Sequence, residues 1–327
     1  MKYLVLESTD PYYNLAIEEY LFNTADDEIF MLWRNEPTVV IGKNQNAYAE
    51  INFEYLKANN IHVARRITGG GAVYHDLGNL NYTFISPNRG SEGIDFKYFT
   101  KPIIDALAQL GVEATLGGRN DLTVGERKFS GNAQHSNGEK VLHHGTLLFN
   151  SDLEVLNSVL IFNEEKYKTK AVKSNRSRVL NLSELIKNLS IDDFISLLTD
   201  ILIKEYSPKV ISISENPEIR ALEERNRSFA WLYPDRDMLS RYSILRKHKY
   251  PFGLVSLRLN MCRDVIADIK IEGDFFGNKN CVELEQTLIG NTFEECKFIL
   301  DKISLSDYIS GMSSTEFVEL MTINATT

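Results

Sequence analysis

The chain has 327 residues, of which 43% are hydrophobic and 25% are charged, and its mean hydropathy is −0.23. These values are typical of a globular protein with one large domain or two unequal ones, and they exclude disordered, fibrous and membrane-spanning classes. The 36 basic and 45 acidic residues give a net charge of −9, which disfavours nucleic acid and anionic membrane surfaces as partners. An anionic ligand would therefore need a local basic cluster.

The N-terminal sequence and the cysteines indicate the cellular compartment in which the protein is expected. The acidic Glu7 interrupts the start of the chain before an apolar run of roughly 7–15 residues can form, so a secretory signal is not predicted. Cys262, Cys281 and Cys296 lack C-x-x-C spacing and fit neither a disulfide framework nor a zinc site. We therefore expect a cytoplasmic protein.

The first elements of the chain are a helix and two strands. The helix begins at Asp10, and its apolar residues recur at the spacing of one buried face, which leaves Glu18 and Glu19 facing water. Residues 29–33 and 38–41 are short β-rich runs separated by a turn, which predicts strand, turn, strand.

The middle of the chain mixes helices with antiparallel-looking strands, so we expect an α+β fold. A strand-like pattern begins at residue 62, is interrupted by three glycines at 69–71 and resumes near residue 80, so the glycines form a loop between strands. The helices predicted in this part span residues 97–110, 182–188, 191–206 and 217–231.

A change of composition predicts a second domain. The basic stretch 241–249 follows the turn at Pro234, and we place the boundary there, with one domain at 1–245 and an accessory domain at 246–327. The second domain is predicted as a small α+β unit with strands at 253–260 and 265–272 and a helix at 293–302.

The three glycines are the most informative feature for function. Without Cβ atoms, their backbone N–H groups can approach an anion closely, and Arg65 and Arg66 precede them. The pattern is neither a Walker A motif nor a dinucleotide fingerprint. A phosphate cradle and a tight turn flanked by surface arginines are equally compatible with it.

Three further features carry charge or titratable groups. Lys128 lies beside Ser130 and Gly131, where it could place a point charge on a phosphate or carbonyl oxygen, although a surface lysine has the same pattern. His143 and His144 lie on a strand and must point to opposite faces, so only one can face a cleft. Six cations without an acid in segment 166–178 indicate either a solvated loop or a loop that orders over a nucleotide.

Five spaced motifs in the first 235 residues resemble the lipoate–protein ligases. They are Arg65-Arg66-x-Thr68-Gly69-Gly70-Gly71-Ala72-Val73-Tyr74-His75-Asp76-Leu77-Gly78-Asn79, Gly118-Arg119-Asn120-Asp121-Leu122, Arg127-Lys128-Phe129-Ser130-Gly131-Asn132-Ala133, His143-His144-Gly145-Thr146-Leu147-Leu148 and Ser177-Arg178-Val179-x-Asn181-Leu182. The resemblance implies a catalytic domain related to biotin–protein ligases and class II aminoacyl-tRNA synthetases. Such a domain has a mixed, largely antiparallel sheet flanked by helices, and a small accessory domain follows it.

The resemblance also implies a reaction, partners and site residues. ATP would activate lipoate as lipoyl-AMP, and a lysine of a lipoyl domain would receive the acyl group, either in an E2 subunit of a 2-oxoacid dehydrogenase or in a glycine cleavage H protein. Lys128 would be catalytic, and Asp121 would bind Mg²⁺. The implied nucleotide contacts are Arg66, Gly71, Ala72, Val73, Tyr74, Lys128 and Arg178. The implied lipoate contacts are Thr68, Gly69, Gly70, Gly71, His75, Asn79, Lys128, Ala133 and His144.

Three alternatives compete with this interpretation. A transferase of the same fold would need a cysteine thioester, yet the first thiol, Cys262, lies far beyond the motifs. A biotin–protein ligase that also binds DNA would carry a helix-turn-helix, which is not predicted. A non-enzymatic lipoyl- or nucleotide-binding protein is disfavoured by the intact Lys128 and Asp121. The sequence leaves open the choice between lipoate and octanoate, the oligomeric state and the role of the accessory domain.

Overall fold

A computed structural model of the protein describes residues 1–88, 95–161, 179–234 and 240–323. Its strands are β1 (Lys2–Val5), β2 (Ile29–Trp33), β3 (Thr38–Ile41), β4 (His62–Arg65), β5 (Val73–His75), β6 (Asn79–Pro87), β7 (Thr115–Gly117), β8 (Asp121–Val124), β9 (Arg127–Ser136), β10 (Lys140–Leu148), β11 (Lys209–Val210), β12 (Ile244–Tyr250), β13 (Gly253–Cys262) and β14 (Val265–Gly273). Its helices are α1 (Pro11–Thr24), α2 (Ala47–Glu50), α3 (Phe53–Ala58), α4 (Phe96–Gln109), α5 (Leu153–Val159), α6 (Ile191–Tyr206), α7 (Pro217–Arg227), α8 (Phe229–Leu232), α9 (Cys281–Leu288), α10 (Phe293–Leu300) and α11 (Ser314–Thr322). The basic segment predicted at 166–178 lies outside the described residues.

The largest sheet has eight strands in the order β11-β1-β2-β6-β10-β9-β8-β7. Strand β1 pairs in parallel with β2 and β11, and every other neighbouring pair in this sheet is antiparallel. Phe99 of α4 and Phe194 of α6 belong to one buried core against this sheet, and Ile17 of α1 and Ile219 of α7 belong to another. The prediction of a mixed, largely antiparallel sheet flanked by helices is confirmed.

A second sheet carries the glycine loop. Its three strands have the order β4-β3-β5, with β4 parallel and β5 antiparallel to β3. Arg65 lies opposite Ile41 and Val73 lies opposite Val40, so the loop between β4 and β5 crosses the C-terminal end of β3. This placement brings the loop close to residues of the large sheet.

The C-terminal part has its own antiparallel sheet and its own core. Strands β12, β13 and β14 pair in that order, and helices α9, α10 and α11 contribute Leu284, Cys296 and Phe317 to the core. The basic stretch that marked the change of composition forms most of β12. The boundary placed at residue 245 falls near the start of that strand, and the division into two domains stays a prediction.

Local structure differs from the sequence prediction in two helices and at Glu19. The helix predicted at 182–188 is wrong beyond its first turn, because only Leu182–Glu184 form a 3₁₀ helix and Asn188 has a left-handed φ of 63°. The helix predicted at 217–231 is interrupted at Ser228, whose hydroxyl caps the short helix that follows. Glu19 does not face water, since its side chain is 12% exposed and pairs with Arg225 of α7.

Candidate active site

A cavity of about 240 Å³ lies where the glycine loop faces strands β9 and β10. Its lining residues are Leu15, Trp33, Val40, Arg66, Gly70, Gly71, Ala72, Val73, His75, Asn81, Arg119, Asn120, Asp121, Lys128, Gly131, Asn132, Ala133, His144, Gly145 and Thr146. The lining comes from both sheets, from helix α1 and from the turn between β7 and β8. Their packing therefore determines the shape of the cavity.

The lining differs between buried and exposed regions. Leu15, Trp33 and Val40 are apolar and at most 4% exposed. By contrast, the side chains of Lys128 and Asp121 are 41% and 35% exposed. A lining with buried apolar groups and exposed charged groups suits an elongated ligand that has an apolar tail and an anionic head.

Arg66 binds the backbone of the glycine loop. Its guanidinium donates to the carbonyl oxygens of Gly69 and Gly71 at 2.8 Å each, and to that of Val40 at 3.1 Å. It also donates to the Thr68 hydroxyl at 3.0 Å, so four of its five N–H groups are used and at most one remains for a ligand. Burial lowers the pKa of Arg66 to about 10. Because this value is still well above 7, the guanidinium is cationic at neutral pH.

The three glycines have different surroundings. A Cβ atom on Gly69 would lie 2.3 Å from the carbonyl oxygen of Phe275, and one on Gly70 would lie 2.9 Å from the ring of Phe276. The N–H of Gly70, at a φ of 93°, donates to that same carbonyl of Phe275 at 3.2 Å. A Cβ on Gly71 would have no atom within 4 Å. Two glycines therefore accommodate the C-terminal part of the chain, and the third leaves open space at the cavity.

A chain of hydrogen bonds joins helix α1 to the glycine loop. The carboxylate oxygens of Glu18 lie 2.9 and 3.0 Å from Nδ1 of His144, whose Nε2 lies 2.9 Å from the Thr68 hydroxyl. The Thr83 hydroxyl also donates to Glu18, at 2.6 Å. The prediction that Glu18 faces water is wrong, because Glu18 is 1% exposed and its buried carboxylate is satisfied by partners distant in sequence.

The two neighbouring histidines of β10 point to opposite faces, as predicted. His144 lines the cavity, whereas His143 is fully buried and stacks on Phe99 with ring centroids 5.1 Å apart. Among the described residues, neither ring nitrogen of His143 has a hydrogen-bond partner. Burial lowers the pKa of His143 well below its ordinary value, so the ring is neutral.

His75 is held in one tautomer by two asparagines. Its Nδ1 lies 3.1 Å from the side-chain nitrogen of Asn35, whose side-chain oxygen accepts from Asn14. This orientation makes Asn35 the donor, so the proton of the neutral ring belongs on Nε2. Burial and the nearby charge of Arg66 lower the pKa of His75 to about 3, and the ring is neutral at physiological pH.

Lys128 and Asp121 form an ion pair in the exposed part of the lining, with Nζ 2.7 Å from Oδ1. A Cβ on Gly131 would lie 3.3 Å from this ammonium, so the glycine leaves room for it. The carbonyl of Lys128 accepts from the N–H of Leu180 at 2.8 Å, which fixes the backbone at this residue. The backbone of the lysine is thus anchored, and its ammonium lies in the exposed part of the lining.

Arg119 connects the cavity to the C-terminal part. Its guanidinium carbon lies 4.4 Å from the ring centroid of Phe276, and it donates to the carbonyl of Asp274 at 3.3 Å. Burial lowers the pKa of Arg119. Together with Arg66 and Lys128 it gives the described part of the lining three cations against one carboxylate. The acidic chain therefore has a local basic cluster where an anionic ligand could bind.

Most of the predicted site residues line this cavity. The lining includes Arg66, Gly70, Gly71, Ala72, Val73, His75, Asp121, Lys128, Ala133 and His144. Thr68, Gly69, Tyr74 and Asn79 lie outside the lining, and Thr68 and Asn79 are hydrogen-bonded to residues within it. Arg178 lies outside the described residues. The sequence analysis missed Leu15, Trp33 and Val40, because a buried apolar residue of a helix or strand has the same pattern whether it faces a core or a cavity.

The described residues offer little for a metal ion by themselves. Within the four described ranges, no cluster of three His, Cys, Asp or Glu side chains could hold one. Asp121 uses one oxygen for Lys128, and its other oxygen could supply a single ligand to a Mg²⁺ ion that substrate phosphates also bind. In the same ranges, we find no helix with the length and apolar character to span a bilayer.

Two family models match the chain. The lipoyl protein ligase A/B catalytic domain matches residues 10–203, and the bacterial lipoate protein ligase C-terminus matches residues 240–321. Lipoate–protein ligase 1 of Staphylococcus aureus is 38% identical over 322 residues, which cover 96% of this chain and 97% of that protein. Lipoate-protein ligase LplJ of Bacillus subtilis is 38% identical over 328 residues, which cover 95% and 97%.

Solved structures are also similar. The crystal structure of P. falciparum LipL1 in complex with lipoate has a TM-score of 0.78 and 29% identity, and covers 93% of this chain and 95% of that one. A lipoate-protein ligase A bound with ATP has a TM-score of 0.60 and 27% identity, with 71% and 98% covered. A bi-partite lipoate protein ligase from Thermoplasma acidophilum, described with its E2 lipoyl domain, has a TM-score of 0.60 and 29% identity, with 71% and 95% covered.

Proposed function

The chain belongs to the lipoyl protein ligase A/B family and is a lipoate–protein ligase, and we propose that both steps of ligation take place in the cavity. In the first step the carboxylate of lipoate attacks the α-phosphorus of ATP, which forms lipoyl-AMP and releases pyrophosphate. In the second step the amine of a lysine attacks the acyl carbon, which forms an amide and releases AMP.

The distribution of apolar and charged residues in the lining of the cavity supports this proposal. Its buried apolar lining, with Leu15 and Trp33, can hold an acyl chain, while the cations Arg119 and Lys128 can hold phosphate and carboxylate groups. A carboxylate is too poor an electrophile for an amine, and the adenylate supplies the leaving group that it lacks. The glycine loop between these regions allows backbone to approach the reacting atoms closely.

Lys128 is the central electrostatic residue of the proposal. Negative charge develops on the α-phosphate in the first step and on the acyl oxygen in the second, and a point charge close to both stabilises each transition state. The ammonium of Lys128 has a flexible stem and the room left by Gly131, so it can turn from Asp121 towards these oxygens.

The remaining assignments follow the same division. We assign Gly71, Ala72, Val73 and Arg178 to the nucleotide, and Gly70, His75, Ala133 and His144 to lipoate. Arg66 and Thr68 contribute by holding the glycine loop in shape, since their hydrogen bonds are directed at the loop and at His144. Gly69, Tyr74 and Asn79 lie outside the lining and would support these contacts from behind it.

Mg²⁺ would accompany the phosphates, and Asp121 would supply one oxygen ligand to it. When bound, the cation neutralises phosphate charge during adenylate formation. The chain's own cations in the lining, Lys128 and Arg119, would bind the same phosphate groups.

A transferase that forms a cysteine thioester is the second candidate, and the cysteines argue against it. The structure describes all three cysteines, and none lines the cavity. Cys281 and Cys296 are buried, and burial raises their pKa values to about 12 and about 11, so thiolate formation is unfavourable. Cys262 is exposed on β13.

We propose that the acceptor is a lipoyl domain of an E2 subunit or a glycine cleavage H protein. The test uses purified protein with ATP, Mg²⁺, lipoate and an unmodified lipoyl domain, followed by intact-mass measurement. We expect one lipoyl group per domain and ATP–pyrophosphate exchange that depends on lipoate. Equal transfer from an acyl-carrier donor without ATP would refute the proposal, and parallel exchange assays with octanoate and biotin define the acid that is used.

A further inference from the structure

The exposed part of the cavity contains a carboxylate that already binds an ammonium group. Asp121 accepts from Lys128 at 2.7 Å, and its side chain is 35% exposed. In the proposed function, Lys128 leaves this position for the oxygens of lipoyl-AMP. The carboxylate would then lack its ammonium partner at the moment when a second ammonium, that of the acceptor lysine, must enter.

The other described groups of the lining carry no negative charge that could pair with an incoming ammonium. Asp121 is the single carboxylate among the lining residues that the structure describes. Both nitrogens of His144 are engaged with Glu18 and Thr68. Three cations line the same cavity, so an ammonium group that entered without a counter-ion would be repelled.

We propose that Asp121 binds the ammonium of the acceptor lysine and holds it beside the acyl carbon. This inference rests on the proposed function and extends it to the residue that recognises the acceptor. Asp121 would serve in sequence: it pairs with Lys128 before the substrates bind, supplies an oxygen to the Mg²⁺ that accompanies the phosphates during adenylation, and binds the acceptor lysine after pyrophosphate has left. Its position at the exposed part of the lining allows a side chain from another protein to reach it.

The chemistry of transfer balances without any further reactant. A bond forms between the lysine nitrogen and the acyl carbon, and the bond from that carbon to the phosphate oxygen breaks. AMP leaves with the electron pair of the broken bond. The ammonium loses one proton before attack and the nitrogen loses a second after the new bond forms, and both pass to water.

The test compares two nucleophiles on protein loaded with presynthesised lipoyl-AMP. One is the lysine of an unmodified lipoyl domain, and the other is hydroxylamine, which is uncharged at neutral pH and needs no ammonium site. The variants are Asp121→Asn and Asp121→Glu. Asp105→Asn is the matched control, because Asp105 forms an exposed pair with Lys101 on α4 and does not line the cavity.

For Asp121→Asn we expect kcat/KM for lysine transfer to fall by about 10–100-fold, mainly through a higher KM for the lipoyl domain. Hydroxylamine should react at about the wild-type rate, Asp121→Glu should recover most of the lysine transfer, and Asp105→Asn should behave as wild type. Equal losses with both nucleophiles would overturn the proposal, because they would mean that Asp121 acts by placing Lys128. Intact lysine transfer with impaired adenylation would also overturn it and leave Asp121 with the metal. The assay begins with lipoyl-AMP and does not depend on adenylation. It therefore distinguishes failure of this inference from failure of the proposed function, in which the wild-type protein would not form the adenylate.

Discussion

Alanine at Gly69 and alanine at Gly71 add the same methyl group to one loop, and the structure predicts opposite effects. At Gly69 the new Cβ would lie 2.3 Å from the carbonyl oxygen of Phe275 and 3.0 Å from the Cα of Phe276, and backbone cannot rotate away. Overpacking of this kind costs about 1–3 kcal/mol. At Gly71 no atom lies within 4 Å, and its φ is not in the left-handed region. Alanine there should stabilise the fold by about 0.4–1 kcal/mol, because it restricts the unfolded chain.

The effects on catalysis should be reversed. Gly71 lines the cavity, so its methyl group would occupy space that the proposed function assigns to ligand. A displacement worth about 1–3 kcal/mol in the bound state corresponds to a loss of about 5–150-fold in kcat/KM. Gly69 does not line the cavity, and Gly69→Ala should retain more activity than Gly71→Ala at temperatures where both are folded.

Calorimetry and steady-state kinetics on the two variants test this pair of predictions. Gly69→Ala should lower the melting temperature by about 2–4 °C for each kcal/mol lost, whereas Gly71→Ala should leave it unchanged or slightly raised. Adenylation measured by pyrophosphate exchange then gives kcat and KM for lipoate and for ATP. A melting temperature that falls equally in both variants, or full activity in Gly71→Ala, would show that the division of the glycines is wrong.

Three further predictions concern charge and titration. Lys128→Ala should slow adenylation and transfer from presynthesised lipoyl-AMP by about 10²–10³ each, and Lys128→Arg should not restore the rates fully; wild-type rates in both assays would place the role elsewhere. Replacing Cys262, Cys281 and Cys296 by alanine should leave ligation intact in protein that remains folded, and loss of activity there would revive the thioester route. His143→Phe should make stability less dependent on acid. The pKa of His143 is lower in the folded than in the unfolded protein, so stability is lost as pH falls below about 6.5. The loss is at most about 1.4 kcal/mol per pH unit for one histidine. Denaturant titrations at several pH values measure this slope.

Local patterns predicted much of what surrounds the site. The glycine loop, the strands beside it and the opposite directions of His143 and His144 follow from short-range sequence rules, and the structure agrees with them. Glu18 shows where such rules fail. Helical periodicity assigns a carboxylate to solvent, and the histidine that binds it is 126 residues away, so its burial depends on tertiary pairing.

The contribution of the C-terminal part could not be predicted for the same reason. Nothing in the sequence near Phe275 and Phe276 indicates that they contact Gly69 and Gly70, which precede them by about two hundred residues. The sequence analysis assigned the glycines to a ligand, because the absence of a Cβ indicates a close neighbour but does not distinguish a ligand from another part of the protein. In the structure, Gly69 and Gly70 contact Phe275 and Phe276, whereas Gly71 leaves open space at the cavity.

The contact of Phe275 and Phe276 with the glycine loop joins residues that are distant in sequence, and the chain between them passes through strands β6 to β11 of the larger sheet. It therefore resembles an interface between two subunits, although both surfaces belong to one polypeptide. A C-terminal part supplied as a separate chain could make the same hydrogen bond to Gly70 and place the same ring against Arg119. In the intact chain, the covalent link keeps the two contacting surfaces at a high effective concentration for each other.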